Sequence, residues 1–157
     1  MHELGLVAAD AQEGVLDPLA GQDTGGVLAA PDKQMVLLPF QDVTFAPLDP
    51  ARPGGASYAV LRGDPGRGPS SMLLRFGKAT GELHHHSSDY ELVLLEGTMK
   101  HRTEREAEAA ARPLGPGSYW FQPGKQVHAD SCLTDQCLMF VSWAGKRDSM
   151  RAAPPKK

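Results

Sequence analysis

Cysteine is nearly absent from this chain of 157 residues: Cys132 and Cys137 are its only two. A four-cysteine zinc knuckle is thereby excluded, and the C-x4-C spacing is wider than that of a C-x-x-C redox pair. The spacing reads as two thiols on neighbouring strands of a hairpin that turns at residues 133–136. Whether they pair stays open, since a reducing cytoplasm disfavours it. Long apolar runs are missing as well, so no segment is expected to cross a membrane. Residues 1–9 have neither the basic start nor the apolar stretch of a secretion signal, which makes the cytoplasm the expected location. No charge of one sign dominates either. Lys and Arg number 16 against 19 Asp and Glu, a net charge of −3, without the clustered cations that a nucleic-acid partner requires. Finally, no helical stripe is present. Residues 103–112 have high helix propensity but no apolar face larger than alanine, and Pro113 ends them. They are expected to form an exposed hairpin extension.

What the chain has in quantity is turn formers. Glycine (17) and proline (13) recur at short intervals, as many short strands require. The length allows one compact domain. Strand candidates occupy residues 34–38, 43–46, 57–62, 71–76, 90–95, 98–102, 117–122, 127–132 and 137–143. Residues 90–95 form a nearly continuous apolar run that reads as a strand buried on both faces. Short strands at this spacing predict an all-β fold, a double-sheet jelly roll or related barrel. The expected organisation is an N-terminal arm over residues 1–33, a barrel over 34–147 and a disordered C-terminal tail over 148–157.

The chemistry is concentrated in Gly81-Glu82-Leu83-His84-His85-His86-Ser87-Ser88-Asp89-Tyr90-Glu91. On an extended chain side chains two apart share a face, so His84 and His86 aim inward together while His85 points away. Imidazole pairs of this kind bind zinc, iron, copper and nickel, yet an H-x-H alone is a weak signal. A second segment strengthens it: Gly117, Pro123 and His128 follow behind another strand and a tight turn.

Together the two segments resemble the cupin superfamily, whose motifs read G-x5-H-x-H-x3,4-E-x6-G and G-x5-P-x-G-x2-H-x3-N. His84, His86 and Glu91 match the ligand core of the first motif and Gly97 closes it. Gly117, Pro123 and His128 fall at the spacing of the second. The chain departs from the pattern at three places. No glycine lies five residues before His84, Gly124 sits one place early, and Cys132 replaces the asparagine. The resemblance implies a single cupin double-stranded β-helix with metal ligands His84, His86, His128 and Glu91. The fourth ligand has a rival, because counting back from Gly97 lands on Tyr90 rather than Glu91. Residues 84–90, 116–123 and 132–141 are further similar to the ChrR-like cupins, a group that includes a zinc-binding anti-sigma factor and dioxygenase relatives.

The resemblance implies a divalent transition metal (Fe, Zn, Mn or Ni) and a small-molecule ligand or substrate. Tyr90, His101, Tyr119, Phe121 and Phe140 are the candidate pocket residues. A metal-dependent enzyme with a dioxygenase-type reaction is the favoured expectation, with isomerase or decarboxylase chemistry if the metal is not iron. The alternative is a non-catalytic sensor or regulatory cupin. Sheet edges that need cover, and a polar arm unable to form its own core, predict a homodimer.

Overall fold

The computed structural model describes residues 34–152. The arm expected over residues 1–33 and the last five residues of the tail lie outside them. A short 3-10 turn, Phe40–Asp42, is followed by nine strands: β1 Ala46–Pro47, β2 Ser57–Gly63, β3 Ser70–Thr80, β4 His84–His85, β5 Tyr90–Glu96, β6 Met99–Thr103, β7 Tyr119–Gln122, β8 His128–Trp143 and β9 Met150–Arg151. All pairings are antiparallel, and they form one curled sheet in the order β1-β2-β3-β8-β4-β9. The fold is the expected all-β jelly-roll barrel.

The long strand β8 is the spine. One edge pairs with β3; the other pairs with β6 near its start and with β5 near its end. Period-two alternation supplies the core. Tyr90, Leu92 and Leu94 of β5 and Cys137, Met139, Val141 and Trp143 of β8 point inward to meet Met72 and Trp120. The apolar run of β5 is therefore not buried on both faces, as its composition suggested. Glu91 and Leu95 are exposed, because an antiparallel sheet curled round one core leaves its other face to solvent. Residues 34–38 form no strand, and only Ala46–Pro47 of the next expected segment pairs with a neighbour.

Two glycines decide how closely the strands approach. A Cβ at Gly97, where φ is +89°, would lie 2.4 Å from Gln136 O. A Cβ at Gly81 would lie 2.1 Å from Asp130 O, so only glycine lets the chain ahead of His84 rest on β8.

The expected hairpin at residues 133–136 is corrected by the register. Gly77 faces Gln136 and Ala79 faces Cys132, so both flanks run in one direction along β3. The polar residues that read as a turn form a bulge opposite Lys78 instead. Cys132 and Cys137 are bonded across this bulge with their Cα atoms 6.0 Å apart. The bridge resolves what the spacing left open, against the expectation of free thiols. The expected tail is corrected too. Residues 148–152 include β9, which pairs with β4. Residues 103–112 form turns without a helix, tied down by the Arg102–Glu108 ion pair at 3.1 Å.

Candidate metal centre

The register of the sheet assembles three imidazoles. His84 lies directly across from His128, the first residue of β8, and their ring centroids are 4.3 Å apart. His86 leaves the end of β4 and sets its ring edge-on to both His84 and Trp143 at 4.9 Å. The loop that carries it is held from the second-motif side. Lys125 N–H donates to His86 O at 2.6 Å and Gly124 N–H to Asp89 Oδ1 at 2.7 Å. One ring nitrogen from each histidine falls within 4.8 Å of the others. His85 takes no part, as the alternation of the extended chain predicts.

Hydrogen bonds select which nitrogens face one another. His84 Nδ1 donates to Glu82 O at 2.9 Å, His128 Nδ1 donates to Gln126 O at 3.1 Å, and His86 Nδ1 donates to Asp148 O. A carbonyl only accepts, so each Nδ1 carries the proton and each Nε2 keeps its lone pair. This is the arrangement that orients imidazoles for a metal ion. Burial lowers the pKa of His86 to about 4, outweighing the Asp148 carbonyl, which works the other way. It also lowers His128 to about 4, outweighing the nearby Asp130 charge. Both rings are thus neutral at pH 7. The donor set and its hydrogen bonding fit a divalent transition metal.

Tyr90, not Glu91, faces this cluster. Tyr90 is 4% exposed, and its O–H donates to His128 Nε2 at 3.2 Å. Burial, followed by the nearby Asp130 charge, raises the phenol well above its usual pKa. Glu91 lies on the outer face of β5, exposed, opposite Phe121. The expectation of Glu91 as fourth ligand is corrected accordingly: strand alternation gives the inward position to its neighbour. The same parity places Tyr119 and Phe121 outside, 58% and 50% exposed. Phe140 lies half-buried between the inward Met139 and Val141. Of the five pocket candidates, Tyr90 alone lines the cavity, and His101 stands behind it.

Asp130 is the residue that sequence reasoning missed. It sits directly opposite His101 in the register, accepting from His101 Nδ1 at 2.6 Å, while its other oxygen lies 3.8 Å from His128 Nε2. Burial works to raise its pKa, yet the His101 hydrogen bond and the histidine charges leave it lowered. His101 Nε2 in turn donates to Gln122 Oε1 at 3.0 Å. The Gln122 amide N–H groups donate to Pro123 O and Gln126 O, both at 3.1 Å. Both nitrogens of His101 therefore meet side-chain oxygens, which fixes the orientation of the ring. Its ring stacks on Trp120 at 4.9 Å.

The cluster opens into a cavity of about 480 Å³. His84, His86, Tyr90 and Asp130 form its polar end, while Phe76, Leu92, Met139, Val141 and Trp143 supply apolar wall.

A family model described as a domain of unknown function (DUF4437) matches residues 23–149. The chain belongs to that family, and its barrel has the cupin fold. Solved structures with this fold include the polyketide cyclase RemF from Streptomyces resistomycificus, with a TM-score of 0.60 at 17% identity, covering 78% of this chain and 89% of that chain. KdgF from Halomonas sp. gives a TM-score of 0.57 at 19% identity, covering 72% of this cupin and 97% of that chain. A structure described as a putative acetylacetone dioxygenase from Methylibium petroleiphilum PM1 gives 0.58 at 15% identity, covering 81% and 87%. No curated protein matches this cupin. These likenesses carry the fold; none of them bears on the ChrR-like grouping. Among the described residues no helix is long and apolar enough to cross a membrane.

Proposed function

We propose that this cupin is a metal-dependent enzyme acting on a small organic molecule, with a dioxygenase-type reaction. The observation that carries the reading is the convergence of three Nε2 lone pairs at the polar end of an otherwise apolar cavity. His84, His86 and His128 would hold the ion, leaving coordination positions free for substrate. Iron bound there would supply Lewis acidity and one-electron chemistry with dioxygen, whereas zinc, manganese or nickel would supply Lewis acidity for isomerisation or decarboxylation. The apolar walls exclude water, and with a metal on the His128 Nε2 lone pair the Tyr90 hydroxyl would be released to donate a hydrogen bond to a ligand oxygen at the polar end. Two structures with this fold are described as a polyketide cyclase and a putative acetylacetone dioxygenase, which supports the reading by analogy of fold.

The test is anaerobic reconstitution with iron(II), followed by an oxygen electrode and a panel of diketones, phenols and hydroxyketones. Oxygen uptake with a panel member, lost in His84→Ala, supports the reading. Metal binding without turnover under iron, zinc, manganese or nickel would leave the non-catalytic sensor. We further infer a homodimer. The edge strand β7 exposes Tyr119 and Phe121, and unpaired edges call for cover. Light scattering that gives a mass near 16.8 kDa at every concentration would exclude the dimer.

A further inference from the structure

The cavity holds one charged group that the metal reading leaves unused. Arg147 follows β8, and its backbone N–H donates to Pro65 O at 2.8 Å, which fixes where its side chain departs. The residue lines the same cavity as His84, His86 and Tyr90. It is half-buried, and no hydrogen bond or ion pair engages its guanidinium among the described residues. The Asp148 charge favours the cation through space, but no ion pair joins the two. The Asp148 carboxylate accepts from Ser87 N–H at 2.8 Å and from the Ser87 hydroxyl at 2.5 Å. Burial lowers the pKa of Arg147 from its usual value, which marks a partly dehydrated cation, though arginine stays charged in proteins.

The charges around it do not balance. The nearby anions are Asp130, which the His101 ring holds, and Asp148, which Ser87 holds; His86, His128 and Tyr90 are neutral. Lys78, exposed at the rim, only adds positive charge. A divalent ion beside Arg147 would therefore leave the polar end of the cavity with more positive charge than the Asp130 and Asp148 carboxylates offset. Partly buried charge calls for a counter-charge. Beyond this end the wall is apolar, including Leu92, Met139 and Val141.

We propose that Arg147 anchors the anionic end of the ligand, and that the ligand is a small organic acid, a carboxylate with an apolar body. The proposal rests on the reading of this cavity as the ligand site and deepens it by naming the substrate class. A guanidinium suits the role because its planar N–H fork meets both oxygens of a carboxylate. The apolar body then lies along the wall, in a space of the size that binds small molecules.

The probes are isocaproate and its neutral isostere isocaproamide, titrated into both the apoprotein and the zinc-loaded protein. Binding is read from tryptophan fluorescence, since Trp143 lines the cavity. Zinc content is measured in parallel with a chelating dye. The acid is expected to bind at least about tenfold more tightly than the amide, a difference of 1.4 kcal/mol. Arg147→Gln should abolish that preference at unchanged zinc content, and Arg147→Lys, which keeps the charge but loses the fork, should retain part of it. If Arg147→Gln does not fold, the wild-type and Arg147→Lys comparison decides, and equal preference in the two overturns the proposal. Equal binding of acid and amide by the wild type, no binding of the acid, or an undiminished preference in Arg147→Gln also overturns it. Zinc failing to bind the wild type while the Arg147-dependent preference persists in the apoprotein would sink the metal reading alone.

Discussion

Two histidine environments stand side by side in this cupin, and partners rather than sequence neighbours set them apart. At His84, His86 and His128 each Nδ1 meets a backbone carbonyl, while Nε2 is left facing the shared centre. At His101, only 5.3 Å from His128 between ring centroids, both nitrogens meet side-chain oxygens. The first arrangement leaves a nitrogen of each ring for a metal, and the second uses both nitrogens of the ring to hold a carboxylate and an amide in place. One partner per ring leaves a ligand, and two leave a support.

The largest effect that sharpens this contrast is on metal affinity. His128→Ala deletes a donor whose neighbours cannot replace it. Affinity for zinc, read by competition with a chelating dye, is expected to fall by more than about 100-fold, beyond the range for residues that only support ligands. A loss that is no greater in His128→Ala than in His101→Ala would erase the distinction between the two environments.

Next in size is the pH dependence of the apoprotein. His86 and His128 titrate near 4 in the fold and near 6.5 when unfolded. Between those values the unfolded chain binds more protons than the native one, so stability falls as pH drops from about 6.5 to about 4 and levels off below. Together the two rings are expected to contribute a few kcal/mol to that loss. Urea midpoints at pH 7 and pH 4.5 measure it, and His128→Asn should remove part of the slope. A flat profile would show that burial does not hold these rings neutral.

A smaller effect is expected behind the ligands. His101→Asn removes the bond that fixes Asp130, whose second oxygen looks toward His128. Metal affinity should fall by about tenfold, as for other supporting partners, with stoichiometry unchanged. Unaltered affinity would mean that the His101–Asp130 pair serves packing alone.

The three ligand candidates were legible because each carries a local signature. His84 and His86 share a face at a spacing of two, and His128 follows Gly117 and Pro123 at a recognisable interval. The His101–Asp130–Gln122 chain had no such signature. It exists because β6 and β7 are brought beside β8 in one particular register, a long-range fact that no local pattern encodes. Arg147 and Asp148 were hidden for a related reason. They follow the last long strand in a segment rich in charge, and only the return of β9 onto β4 turns that segment back to the site. Residues 133–136 misled because a polar stretch between apolar ones reads the same way for a turn and for a bulge. Direction along β3 separates the two, and direction is a property of pairing.

The smallest expected effect concerns Glu91, where motif counting and strand parity disagree. The spacing from His86 favours a carboxylate ligand; the spacing back from Gly97 favours Tyr90. The composition of residues 92–95 could not arbitrate, since Leu92 and Leu94 are as apolar as Val93 and Leu95. The structure decides by burial: Tyr90, Leu92 and Leu94 are inside, and Glu91 is exposed opposite Phe121. Glu91→Gln is therefore expected to leave zinc affinity unchanged within experimental error and stability within about 0.5 kcal/mol, as for other surface changes. Tyr90→Phe should keep the metal too, but remove the O–H that reaches His128 Nε2 and so alter the spectrum of a cobalt(II)-substituted site. Moving Glu91 inward would require a one-residue slip of β5, which would put Tyr90, Leu92 and Leu94 on the solvent face. A clear loss of metal affinity in Glu91→Gln, with no change of spectrum in Tyr90→Phe, would mean that the loaded protein adopts that slipped register.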